Sequence, residues 1–180
     1  MRTKINRKLT ITYVAAVLVC GLNALPAHAA IYTGLSVEYL HMKVEGTRLH
    51  PWNARFKLGA HLIPELAIEV QYASSIQDDS VNELKLANSE NRAIYARYQS
   101  PDTYSGMVIY LLAGYAWTTI ETSGTFAIPD QEFESFSWGI GLEERVKTLK
   151  KLNYTFQYSQ YYNHDELMIE GYNVGLRFDF

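Results

Sequence analysis

Seven ionisable residues carry most of the chemistry that this chain could do: Glu38, Arg55, Lys57, Glu69, Arg97, Glu143 and Arg177. All but Glu143, which Glu144 follows, stand between apolar neighbours, as in Phe56-Lys57-Leu58 and Ile68-Glu69-Val70. Acids and bases set this way are suited to pairing with one another, because a charge taken out of water alone is costly. The other reactive types are less organised. His41, His50, and His164 with Asp165 lie near expected strand ends, with nothing to fix their mutual geometry, and read as solvated loop residues. No metal-ligand spacing, phosphate-binding loop or nucleophile elbow is present, so no cofactor, metal site or catalytic centre is expected.

The elements that must position those charges are strands. Beyond residue 30 the hydropathy has a period of two, in eight segments at roughly 31–41, 52–63, 66–76, 91–100, 106–121, 133–145, 152–162 and 167–180. In the last, Tyr172, Val174, Leu176, Phe178 and Phe180 oppose Asn173, Gly175, Arg177 and Asp179. The sixth opposes Phe136, Trp138, Ile140 and Leu142 to Ser137, Gly139, Gly141 and Glu143. Only the segment around Met107–Leu112 is apolar on both faces, which leaves its register open. The polar face holds the seven charges among Gly, Ser, Thr and Asn, a composition expected of a hydrated, small-residue lumen. The large aromatic face suits lipid.

The 180 residues are 48% apolar and 19% charged, with 14 Tyr and one Cys, which excludes a disulfide scaffold and a disordered chain. The formal net charge is −3. Residues 1–29 carry Arg2, Lys4, Arg7 and Lys8 and no acid, so the rest holds −3 − 4 = −7. That sign is wrong for a nucleic-acid binder. The basic start, the apolar run Leu9–Leu22 and Ala27-His28-Ala29 form a secretory signal peptide with cleavage before Ala30. The domains are therefore 1–29, a cleaved signal, and 30–180, the mature barrel. Short links after the second, fourth and sixth strands alternate with longer ones near 42–51, 77–90 and 122–132, as expected of periplasmic turns and outer loops. The fold class is all-β, an eight-stranded antiparallel up-and-down transmembrane β-barrel.

With these features the chain resembles the small outer-membrane β-barrel superfamily, the OmpA-type transmembrane domain and its OmpX/Ail-like relatives. The end, Tyr172-Asn173-Val174-Gly175-Leu176-Arg177-Phe178-Asp179-Phe180, matches the assembly signal of such proteins, with apolar residues at every second position before a terminal Phe. The resemblance implies recognition by the barrel-assembly machinery and residence in the cell outer membrane. The peptidoglycan-binding domain of full OmpA proteins is not expected after the eighth strand. Some barrels of this size act on lipid A. The deacylases among them carry His-x-Ser on the lipid-facing wall, where Phe156-Gln157-Tyr158-Ser159 has Gln157 in place of the base. The palmitoyltransferases place His, Asp and Ser at the outer rim, and nothing here specifies that geometry. The protein is not expected to be an enzyme.

Eight strands enclose a space that side chains fill. Glu69, Arg97, Glu143 and Arg177 fall in the periplasmic half, where an ion-pair network is expected to plug the lumen. The expected role is structural or surface-interaction, in envelope integrity or adhesion; a narrow, porin-like conducting channel is the alternative, and a lipid A-modifying envelope enzyme is the third reading. Aromatics near strand ends (Trp52, Tyr104, Trp117, Phe133, Tyr161, Tyr162 and Phe180) are expected at headgroup level. The outer loops are acidic, with Glu45, Asp78, Asp79, Glu83, Glu90, Glu121, Asp130, Glu132, Glu134, Asp165 and Glu166 against Lys43, Arg48 and Lys85. Expected partners are outer-membrane lipid and lipopolysaccharide, met diffusely through divalent cations, together with a surface ligand of the loops. Heparin and nucleic acid are disfavoured by the loops' sign, and a monomer is expected because a closed barrel has no edge. The signal assignment has a direct check: N-terminal sequencing of the exported protein is expected to begin at Ala30.

Overall fold

The alternating segments become strands because their Val, Ile, Thr and aromatic residues suit a pleated surface buried on one face. The computed structural model describes residues 30–44, 47–77, 79–81, 84–102, 106–123, 131–164 and 167–180. The leader 1–29 with Ala27 and Ala29, the ring of Tyr104, and Glu45, Asp78, Glu83, Asp130, Asp165 and Glu166 lie outside the described residues. In chain order the strands are β1 (Ile31–Val44), β2 (Thr47–Leu49), β3 (Trp52–Ile63), β4 (Leu66–Gln77) and β5 (Asp79–Val81). They continue with β6 (Leu84–Gln99), β7 (Met107–Ser123), β8 (Gln131–Arg145), β9 (Leu152–His164) and β10 (Leu167–Asp179).

The eight long strands pair antiparallel with their sequence neighbours, and β10 closes on β1 from Tyr32↔Asp179 to Val44↔Leu167. The result is a closed eight-stranded barrel. The short β2 and β5 continue hairpins at one end, called here the loop end. At the opposite, turn end lie the tight links Pro64-Glu65 and Val146–Lys151, the end of β6 and the start of β7, with the start of β1 and the end of β10. There the Phe180 N–H donates to the Ile31 carbonyl at 3.0 Å, tying the last residue to the first strand.

Strand β6 begins seven residues before the expected position, since its ladder with β7 continues from Asn91↔Thr118 out to Lys85↔Ser123. Leu84–Glu90 is rich in polar residues because a hairpin projecting past the apolar band has no face that must be greasy; periodicity therefore carries no signal there. Register is also settled in β7, where Tyr110, Leu112, Ala116 and Thr118 point inward while Ile109, Leu111 and Tyr115 point outward.

Two expectations need correction. Tyr161 and Phe133 are not headgroup aromatics. Tyr161 shares the inward parity of Gln157 and Ser159 and is fully enclosed, and Phe133 shares that of Ser135 and Ser137 and packs against the interior cluster. Nor is the interior uniformly polar and small. Toward the loop end Leu40, Met42, Leu49, Ile120, Tyr161 and Ile169 form a buried apolar cluster. Farther down, Tyr32, Tyr95 and Tyr110 reach inward. Two of these rings lie over glycines directly across the ladder, Tyr32 over Gly59 and Tyr110 over Gly141. A Cβ at Gly59 would stand 2.1 Å from Tyr32 Cζ, and one at Gly141 2.2 Å from Tyr110 Cζ. Gly59→Val should therefore lower stability by about 1–3 kcal/mol through overpacking, read as a lower urea midpoint of the refolded barrel.

Candidate functional site

The seven charges singled out from the sequence all lie inside the barrel. Glu38, Arg55, Lys57, Glu69, Arg97, Glu143 and Arg177 are each at most 8% exposed, so every one must find its partners in the interior. They form two clusters at different depths, joined by one glutamine.

In the cluster nearer the turn end, Arg97 holds Glu143 with two parallel bonds, Nη1 to Oε1 at 2.9 Å and Nη2 to Oε2 at 2.6 Å. This fork-to-carboxylate geometry matches a planar guanidinium to a planar acid. Arg177 Nη1 donates to the same Glu143 Oε2 at 2.5 Å, so one carboxylate bridges two guanidiniums. The second arginine is balanced by Asp179, which accepts from Arg177 Nε at 2.9 Å and from Asn153 Nδ2 at 2.9 Å. Glu69 accepts from Arg97 at 3.5 Å, from the Tyr32 hydroxyl at 2.7 Å and from Gln71 Nε2 at 2.5 Å. Aromatic faces complete the shell: Arg97 stacks 3.8 Å from the Tyr110 centroid and Arg177 4.4 Å from that of Tyr32.

The cluster nearer the loop end centres on Arg55, whose Nη2 donates to both oxygens of Glu38, at 2.8 and 2.7 Å. Its Nη1 donates to Gln71 Oε1 at 2.7 Å, so Gln71 spans from Arg55 to Glu69 and links the two clusters. Asn91 accepts from Arg55 at 3.2 Å and donates to Thr118 at 2.8 Å. The Tyr161 hydroxyl donates to Glu38 Oε1 at 2.6 Å. Lys57 stands apart: its fully enclosed ammonium has a single hydrogen bond among the described residues, 3.4 Å to Gln157 Oε1.

The exterior is the inverse of this interior. Leu35, Val70, Ile94, Leu111, Ile140 and Phe156 are among a continuous set of exposed large apolar side chains, far more than a water-facing monomer displays. Aromatics mark one border at Tyr39, Trp52, Tyr72, Trp138 and Tyr172, and another at Tyr98, Tyr154, Phe178 and Phe180. No helix among the described residues is long and apolar enough to cross a membrane, and the strands provide the crossing surface. The family model for the outer membrane protein beta-barrel domain matches residues 12–180.

The chain belongs to that family.

Solved structures of similar fold include Ail, the attachment invasion locus protein of Yersinia pestis, in complex with the heparin analogue sucrose octasulfate. It is 14% identical with a TM-score of 0.62, over 84% of this chain and 99% of that one. Neisserial surface protein A is 15% identical with a TM-score of 0.62, over 83% and 97%. OprG from Pseudomonas aeruginosa is 10% identical with a TM-score of 0.58, over 87% and 97%. At these identities the likeness is one of fold. A search of curated protein sequences found no match. Membership in the family places the barrel in the outer membrane, with its apolar wall in the bilayer.

Gln157 and Ser159 point into the barrel, where Gln157 Nε2 donates to Ser159 Oγ at 2.8 Å, and do not stand on the lipid-facing wall. His41 and His50 meet with ring centroids 4.7 Å apart, and His50 stacks on Tyr39 at 5.3 Å. Among the described residues no group of three His, Cys, Asp or Glu could hold a metal ion. Of the terminal motif, Tyr172, Val174, Leu176, Phe178 and Phe180 are exposed on the outer wall, and Phe178 and Phe180 pack edge to face at 5.3 Å. Ala30 precedes β1 and its carbonyl accepts from the His61 N–H at 3.0 Å. The site residues missed from sequence are Tyr32, Tyr110, Tyr161, Gln71 and Asn91; the signal that would have found the first two was an inward glycine one strand away.

Removing one side of a buried pair should cost more than removing a single donor. Arg55→Met, which leaves Glu38 without its cation, is expected to lose about 3–5 kcal/mol. Tyr161→Phe, which removes one bond to a charged acceptor, is expected to lose about 1.5–3 kcal/mol. Urea titration followed by the folded and unfolded gel bands would read both.

Proposed function

We propose that this protein is a barrel whose lumen is plugged by its own side chains, and that it serves the envelope structurally or through contacts made by its outer loops. The observation that carries the reading is the stack inside: Glu143 bridging Arg97 and Arg177, Glu38 holding Arg55 above them, and the apolar cluster from Leu40 to Ile169 above that. A solute would have to break buried ion pairs and then cross a greasy layer. Either step alone is expensive in a low-dielectric interior. In this reading the turn end faces the periplasm and the loop end faces outward, following the family's habit of short inner turns and longer outer loops. The leader 1–29 directs export and is removed before Ala30, the terminal Phe180 motif is read by the barrel-assembly machinery, and the barrel is a monomer.

Envelope integrity or adhesion through the loops is the role that remains for such a barrel. Its partners would be lipopolysaccharide and a surface ligand. The sulfated ligand seen with Ail does not carry over, because the loops here are acidic by sequence and would repel polyanions. No catalytic role is assigned: the one serine near a candidate base position, Ser159, has Gln157 beside it and faces the lumen.

A narrow channel is the second reading, and one observation favours it. Ser36 Oγ, Thr155 Oγ1 and both amide atoms of Asn173 are buried without a partner among the described residues, on the wall that Lys57 reaches across. Such atoms call for water. Planar-bilayer recording separates the two. The plugged barrel is expected to stay silent, both unmodified and as Arg97→Ala or Arg177→Ala; discrete ion-selective steps that change with either variant would establish the channel instead.

A further inference from the structure

The barrel wall parts toward the loop end between β8 and β9. Between β8 and β9 the ladder runs from Arg145↔Asn153 only as far as Trp138↔Gln160. Beyond it, Gln131–Ser137 of β8 pairs with β7, and Tyr162–His164 of β9 pairs with β10. Two serine hydroxyls hold the parting strands, Ser137 Oγ donating to the Gln160 carbonyl and Ser135 Oγ to the Tyr161 carbonyl, each at 2.6 Å. Register slips at the same level, between Ile169 and Glu170, which leaves Tyr161 bulged against β10. The divergence opens a cleft of about 410 Å³ on the outer wall, lined among others by Glu134, Phe136, Trp138, Gln160, Tyr162 and Asn163.

The cleft's depth and chemistry name its occupant. Below it the outward residues of β8 are Ile140 and Leu142, and above it comes Glu132, so it lies at the headgroup border and continues the lipid-facing surface. A strand edge at that depth has to find hydrogen-bond partners other than hydrocarbon. The Trp138 indole is fixed by its bond to Gln160 Oε1 at 2.8 Å and stands beside the exposed Phe136 ring. Flat apolar rings next to a carboxylate and carboxamides suit the faces and hydroxyls of a sugar. Among the described residues no Lys or Arg lines the cleft, and His164 is the basic side chain at its rim.

We propose that the β8–β9 cleft binds the saccharide head of a glycolipid from the surrounding outer leaflet. This requires the loop end to face outward, but neither the plugged lumen nor a loop ligand. The test uses the full barrel in nanodiscs of phosphatidylethanolamine and phosphatidylglycerol, with and without lipopolysaccharide, read by backbone amide NMR. Saturable shifts confined to 133–138 and 159–164 are expected, and Glu134→Gln with Asn163→Ala should weaken them roughly five- to ten-fold. Cold and boiled gel mobility would confirm that the variant is folded. Shifts spread around the whole outer girdle, or indifferent to the double variant, would overturn the proposal. So would equal shifts from free core oligosaccharide added to phospholipid discs, which would make the cleft a site for soluble sugar.

Discussion

Everything inside this barrel is arranged around the need to pair charge without water. Glu143 cannot be enclosed alone, and the Arg97 fork that neutralises it brings a second demand for acceptors, met in part by Glu69. Glu69 in turn draws on Tyr32 and Gln71, and Gln71 passes the chain of bonds to Arg55 and Glu38. One continuous network thus ties β1, β3, β4, β6, β8 and β10 across the lumen. Removal of any ion leaves a partner exposed to a low dielectric, so the network behaves as a unit, as interior polar networks generally do.

The shape of the interior follows from the same constraint. Guanidiniums need flat neighbours as well as acceptors, and Tyr32 and Tyr110 supply them by leaning over Gly59 and Gly141, where a Cβ would occupy the ring's place. Outside, the bilayer imposes the opposite composition, and the two together produce the strict alternation along each strand. Near the loop end the lumen turns apolar, with Leu40, Met42 and Ile169 packed together. The wall is irregular at this level, where β8 and β9 part and Tyr161 bulges inward to reach Glu38.

Much of this was legible in the sequence because a period of two is a strong signal wherever one face meets lipid. The parity of β3, β4, β8, β9 and β10 follows from residues such as Phe56, Val70, Trp138, Phe156 and Val174. Alternation failed where its physical cause lapses. In β7 small and apolar side chains line both faces, so Tyr110 and Leu112 could not be assigned inward. In the extension Leu84–Glu90 the ladder outruns the membrane. Tyr161 and Phe133 lie near strand ends yet face inward, because the pleat's parity and not closeness to an end decides which side a ring takes. Which charge meets which depends on depth around a tilted barrel, and that is a property of register: Arg97 reaches Glu143 across 46 residues of chain.

The central claim, that a mutually dependent ionic lattice fills the lumen, is tested most directly by a double-mutant cycle on Arg97 and Glu143. Arg97→Met and Glu143→Leu are made singly and together, and stability is read from urea unfolding in one detergent or lipid system. Arg97→Met leaves Glu143 with Arg177 alone and Glu69 without an arginine, and Glu143→Leu leaves Arg97 with Glu69 alone, whereas the double variant leaves Glu69 with Tyr32 and Gln71, and Arg177 with Asp179. The account expects the double variant to lose clearly less than the sum of the singles, by about 1–3 kcal/mol of coupling. Additive losses would contradict it, showing that these side chains are solvated separately and that the lumen is held by something other than their pairing.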